Sequence, residues 1–185
     1  MPSHAVEHVV VDQVPVAQQQ VLDALLQLYL YDFSALAPLG TAYGEVGEDG
    51  RFAYSWLESY WQEPDRIPFV IRADGRIAGF VLVNRWSALD RPLDHAIAEF
   101  FVLRRYRRTG VGTRAAHLVF RRMRGRWEVP IAAYNHEALP FWRSVVRSLP
   151  VRVDEHAGDG QRWAGPVLCF DMRNAAERGP ERDDF

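Results

Sequence analysis

The chain has 185 residues, 48% of them hydrophobic and 12% aromatic, which is enough for one domain with a sizeable core. A single cysteine, Cys169, excludes an intrachain disulfide, and no run reaches the roughly 18 apolar residues of a membrane span. A net charge of −2 argues against a nucleic-acid binder, so neither nucleic acid nor membrane is expected as a partner.

The charge is unevenly placed. Residues 1–103 hold 14 acidic and 6 basic side chains, residues 104–185 hold 10 and 16. That pattern suggests a basic half for a phosphorylated ligand and an acidic half for a cationic one. All 22 cationic side chains are arginine. The first residues are polar and lack a basic segment leading into an apolar one, so a cytoplasmic location is expected.

Residues 5–11 read as a strand. Val14-Pro15 opens a helix, since proline suits a first helical turn. Leu22, Leu25, Leu26, Tyr29 and Phe33 continue it as an apolar stripe at helical spacing. Residues 37–50, rich in Pro, Gly and acid, read as a loop, and Phe52–Trp61 as a second, aromatic helix. Two strands, 67–72 and 77–83, flank Asp74-Gly75, a strong hairpin-turn signal. A loop over 86–94 leads to a fourth strand, 95–103. A helix over 110–124 turns Val111, Ala115, Leu118, Val119 and Met123 inward. A fifth strand, 127–133, is followed by Asn135 as N-cap of a helix running to about Leu149. A hairpin of 151–154 and 166–172 closes the sheet, with Cys169 packed inside, and 174–185 read as a polar tail.

The chemistry concentrates between Glu99 and Thr113. An apolar strand runs into four arginines, turns on Gly110 and Gly112, and enters a helix. Glycines let backbone approach a ligand closely, and a helix start offers unpaired N–H groups at the positive end of a dipole. Together these make a pyrophosphate seat.

The same residues carry a resemblance. Arg107-Arg-Thr-Gly110-Val-Gly112 is similar to Arg/Gln-x-x-Gly-x-Gly/Ala, the acyl-CoA motif of the GNAT N-acetyltransferase superfamily. Phe100-Phe-Val102 before it and the β-α-α-β-β-β-α-β-α-β-β order resemble that family along nearly the full chain. The resemblance implies a mixed α/β fold: a mostly antiparallel sheet of six to seven strands, about four helices, and strands 4 and 5 splayed to admit pantetheine. One such domain would span residues 1–173.

It also implies a reaction, direct transfer of acetyl from acetyl-CoA to an amine, with no metal. The cofactor would be held by Val102, Leu103 and Arg104 through backbone groups. Its pyrophosphate would be held by Arg107, Arg108 and the amides of Thr109, Gly110, Val111, Gly112 and Thr113. Asn135-His-Glu-Ala138-Leu-Pro-Phe141-Trp142 resembles the family's Asn-x-x-Ala-x-x-(aromatic or Leu)-Tyr. Asn135 would bond the pantetheine and Phe141 would pack on it. Trp142 stands where many relatives carry the tyrosine that protonates departing CoA. An indole cannot do this. Tyr134 or water would serve instead, or CoA would leave as thiolate.

For the base, Glu99 lies on the strand just before the cofactor groups, and Glu128 on the neighbouring one. An acceptor pocket built from residues 29–62 and 86–95 and the last hairpin would be aromatic and acidic, with Asp32, Glu45 and Glu48 among its residues. That would suit a small cationic amine. A monomer or homodimer both fit. Two other classes compete. Gly110-Val-Gly112-Thr-Arg-Ala115 with Glu128 also fits a dinucleotide-binding oxidoreductase, but four strands precede the glycines rather than one. Trp142 motivates the other, an acyl-CoA-binding module without catalysis.

Overall fold

A computed structural model describes residues 5–38, 40–41, 43–173 and 175. The tail expected over 174–185 lies outside the described residues apart from Ala175. Seven strands form one sheet: β1 (Val9–Gln13), β2 (Ile67–Ala73), β3 (Arg76–Asn84), β4 (His95–Val102), β5 (Arg126–Pro130), β6 (Val153–Ala157) and β7 (Pro166–Asp171). The order is β1-β2-β3-β4-β5-β7-β6, and every neighbouring pair is antiparallel except β4 and β5. Asp74 and Gly75 both take positive φ at the β2–β3 turn, as a tight hairpin requires.

Helices cover both faces. α3 (Val111–Arg122) and α4 (Ala138–Arg147) bury Val111, Ala115, Val119, Phe120, Trp142 and Val145 against one face, with Trp127 between them. α1 (Gln19–Ser34) and the single turn α2 (Ser59–Gln62) bury Leu22, Leu26, Leu30 and Tyr60 against Val70, Phe80, Leu82 and Phe101 on the other.

Four local expectations change. The first strand is Val9–Gln13, because only this segment pairs with β2. The helix expected over 52–61 is reduced to its last turn. Phe52 instead bridges Val46, and its backbone bonds the Gln27 side chain, which anchors the segment as an extended strap over α1. Phe120 rather than Leu118 or Met123 fills the core beneath α3. α4 starts at Ala138, but the Asn135 side chain still accepts a hydrogen bond from Ala138 N at 3.3 Å, capping chemistry one turn early.

The feature that makes a site is the parallel pair. β4 and β5 are in register only at His95–Trp127 and Ala96–Glu128. Beyond Ala96 they part. β4 also carries a bulge there: Leu82 faces Glu99 and Val83 faces Ile97, so Ala98 has no counterpart. A bulge bends its strand and re-aims the next side chain. The next side chain is Glu99.

Candidate active site

A cavity of about 570 Å³ opens where β4 leaves β5. Its floor is Ala96–Phe100 and Pro130–Ala132. Tyr29, Phe33, Tyr43 and Tyr54 form one wall, and Tyr134, Asn135, Phe141 and Trp142 another. Arg66, Asn84, Trp56, Trp86 and Trp163 close one end.

Glu99 is the carboxylate of this cavity. Tyr29 donates its hydroxyl to Glu99 Oε2 at 2.5 Å, and Tyr54 presses a second hydroxyl on the same group. Burial pushes the Glu99 carboxyl up to about 7, against the downward pull of the two tyrosines. Burial first, then the Glu99 charge, raises Tyr29, Tyr54 and Tyr134, and takes Tyr43 to about 12. The cluster is therefore a carboxyl poised near neutrality among phenols that keep their protons.

Glu128 stands elsewhere. It is 1% exposed on the far side of the β4–β5 junction. It accepts from Ser87 Oγ (3.0 Å), Ala88 N (2.8 Å) and Arg91 Nε (3.2 Å). With its carboxylate turned onto residues 87–91, it latches the loop that carries Trp86 into the cavity. It is not among the residues that line the Glu99 cavity.

The arginine turn is partly committed inside the protein. Asp32 of α1 binds Arg104 at 2.7 Å and Arg107 more closely still. Arg107 Nε also donates to the Val102 carbonyl at 2.8 Å, and its guanidinium lies 5.6 Å from the Phe101 ring. Leu103 uses both backbone groups internally: its N–H donates to Ala78 O, and its C=O accepts from Tyr106 N, both at 2.8 Å. Arg105 and Arg108, by contrast, are exposed and make no ion pair or hydrogen bond among the described residues. Thr109 Oγ1 closes the turn on Tyr106 O at 2.7 Å.

The two glycines do different work. Gly110, with φ +81°, is the left-handed residue from which α3 starts, and a Cβ there would meet Arg114 Nε in ordinary contact at 3.9 Å. Gly112 allows contact within the protein. A Cβ there would lie 3.2 Å from Phe141 Cζ and 3.5 Å from Val102 Cγ2. The first turn of α3 follows directly on Gly110, where a helix leaves its first amides without intrahelical partners. The Val111 side chain is fully buried, and Thr113 lies in the same turn.

Phe141 and Trp142 pack on Phe100, with ring centroids 5.7 and 4.9 Å away, so α4 forms a wall of the cleft. Tyr134 stacks edge-on to Phe33 at 5.6 Å across the opening. Of the acids expected to line an acceptor pocket, Asp32 is held by arginines, and Glu45 and Glu48 are exposed outside the cavity. Arg66 is instead a cation in its wall. Sequence reasoning missed Arg66 and the pairing of Tyr29 with Glu99, which lies 70 residues away. The one available signal was Tyr29, a hydroxyl on an otherwise apolar helical stripe.

Among the described residues no group of three or more His, Cys, Asp and Glu is placed to hold a metal ion, and no helix is long and apolar enough to cross a membrane.

The fold recurs in solved structures. An acetyltransferase from Thermus thermophilus superposes with a TM-score of 0.57 at 16% identity, over 90% of this chain and 97% of that one. The PaiA N-acetyltransferase of Thermoplasma acidophilum, in complex with coenzyme A, gives 0.54 at 8% identity, over 89% and 99%. The spermidine N-acetyltransferase of Vibrio cholerae, in complex with CoA and spermine, gives 0.53 at 9% identity, over 89% and 95%. No curated protein matches the chain by sequence. The model of the acetyltransferase (GNAT) family matches residues 25–145, from α1 through the arginine turn to α4, and the chain belongs to that family.

Proposed function

We propose that this protein transfers an acetyl group from acetyl-CoA to a primary amine of a small molecule by direct attack, with Glu99 as general base. The observation that carries the reading is Glu99 itself: a carboxyl brought to about 7, held by two phenols, at the point where β4 and β5 part. An amine arrives mostly as ammonium at neutral pH. A base with a pKa near 7 can take its proton and still be ionised often enough to act.

The amine nitrogen then attacks the thioester carbonyl carbon and releases its second proton to water, the C–S bond breaks, and CoA departs as thiolate, protonated by Tyr134 or by water. Trp142 cannot supply that proton. Backbone around Val102 and Arg104 would position the pantetheine arm, with Asn135 and Phe141 along its far side. Arg108 and the amides from Thr109 to Thr113 would seat the pyrophosphate, and Arg105 is a further free cation beside them. Arg107 can join only by leaving Asp32 or the Val102 carbonyl. Two reactants held side by side supply much of the rate whatever the base contributes.

The test is release of free CoA thiol with a panel of primary amines, for the wild-type protein and Glu99→Gln. Amine-dependent release that collapses in the variant supports the reading. Tight acetyl-CoA binding with no release on any amine would favour the non-catalytic module that Trp142 suggests.

A further inference from the structure

Arg66 has no part in the chemistry above, yet its guanidinium lines the cavity that holds Glu99. It is built in place. Its Nε donates to Glu63 at 2.7 Å, and its plane lies over Trp56 at 5.3 Å and Tyr60 at 5.6 Å. The side chain is only 18% exposed, against 50% for Glu63. One edge of the fork is thus oriented from the solvent side. The terminal nitrogens have no carboxylate partner among the described residues.

Position relative to Glu99 follows from the register. Arg66 precedes Ile67, which pairs with Val83, and the neighbouring Leu82 pairs with Glu99. Their backbones stand two strands apart and about two residues offset along them, about 12 Å at the usual spacings. Tyr60 packs against Arg66, and the Glu99 charge adds to burial in raising its hydroxyl. The cavity therefore has a proton acceptor in its middle and a fixed cation at one end. Its walls there are aromatic: Tyr54, Trp56, Trp86 and Trp163. The Trp163 indole N–H in this wall is buried without a partner among the described residues. A bare cationic amine would meet Arg66 as a like charge. A planar anion would meet a pre-oriented fork.

We propose that the acceptor is an amine that also bears a carboxylate, an amino acid with an apolar or aromatic body, whose carboxylate is bound by Arg66. This rests on the amine-acetylation reading above and names its substrate class. It replaces a site for purely cationic amines with one selective for zwitterions.

The experiment compares matched pairs that differ only in the carboxylate: phenylalanine with phenethylamine, tyrosine with tyramine, leucine with isoamylamine. Thiol release gives kcat and KM for wild type and Arg66→Gln, and CoA affinity reports that the variant is folded. Phenylalanine and leucine binding is followed independently by tryptophan fluorescence in the presence of CoA. The expected result is a wild-type preference for the carboxylate-bearing partner of about 10- to 100-fold, the range of a charge-assisted bond. Arg66→Gln should erase it by raising KM for the acids and, with the like charge gone, lowering KM for the plain amines, with kcat changing less than KM. Equal or better use of the plain amines by the wild type, or a preference that survives Arg66→Gln, overturns the proposal. So does failure of the wild type to bind either acid. Arg66-dependent binding without thiol release upholds the site and removes acetyl transfer instead.

Discussion

Glu99→Gln is the most informative perturbation, because it keeps the shape and removes the charge. The amide oxygen can still accept from Tyr29, so the 2.5 Å contact is replaced rather than orphaned. Two consequences follow with opposite signs. Catalysis loses its base, and general-base removal costs about 10²- to 10⁴-fold. Stability moves the other way above neutrality.

In the folded protein Glu99 holds its proton up to about 7, against 4.5 for an ordinary glutamate. Between those values the folded state binds more protons than the unfolded chain, so wild-type stability falls as pH rises from 4.5 through 7. The whole shift corresponds to on the order of 3 kcal/mol, as an upper limit because the cleft admits water. The variant does not carry this penalty, and at about pH 8 it should melt higher than wild type by several degrees.

The assays are a pH profile of kcat/KM and melting curves at about pH 4.5 and about pH 8, either side of the Glu99 titration. Wild type should show a rising limb centred near pH 7, and the variant should lack it. CoA affinity should be equal in the two. A variant that keeps kcat within about threefold and retains the limb would refute Glu99 as base. A melting difference that does not grow with pH would refute the raised carboxyl.

Tyr29→Phe removes a donor that lowers the Glu99 pKa, so the limb should move up by about one pH unit, the effect of one charge-assisted bond. An unmoved limb would disconnect Tyr29 from the base. Asp32→Asn frees two arginines beside the turn and should tighten CoA binding several-fold at low salt; weaker binding by titration calorimetry would show that Asp32 pre-orients them instead. Gly110→Ala should cost about 1–2 kcal/mol through backbone strain alone. Gly112→Val must push Phe141 aside and should weaken CoA binding more than Gly110→Ala does, as measured by calorimetry. Glu128→Ala leaves the buried Ala88 N–H unpaired and should lower stability by about 2–4 kcal/mol in urea melts. The pH limb of Glu128→Ala should stay where it is in wild type.

The fold was legible because its signals are local. Asp74-Gly75 marks the hairpin, the stripe from Leu22 to Phe33 marks α1, and Gly110 marks the helix start by a backbone angle that only glycine adopts cheaply. The motif from Arg107 to Gly112 pointed to the family for the same reason: a phosphate seat on a helix N-terminus is built from consecutive residues. The structure adds a second requirement that the spacing does not show: a Cβ at Gly112 would crowd Phe141, a turn into the next helix.

What the tertiary structure alone decided is where each polar side chain spends its bonds. Glu99 and Glu128 sit on neighbouring strands, and in sequence only its place just before the cofactor motif put Glu99 first. The bulge at Ala98 turns one toward two phenols, while residues 87–91 fold over the other. Asp32, expected in the acceptor pocket, is neutralised at the arginine turn, and Arg66, for which no role was expected, lines the pocket wall. Burial and charge pairing depend on partners tens of residues away, and they exist only once the sheet has brought those partners together.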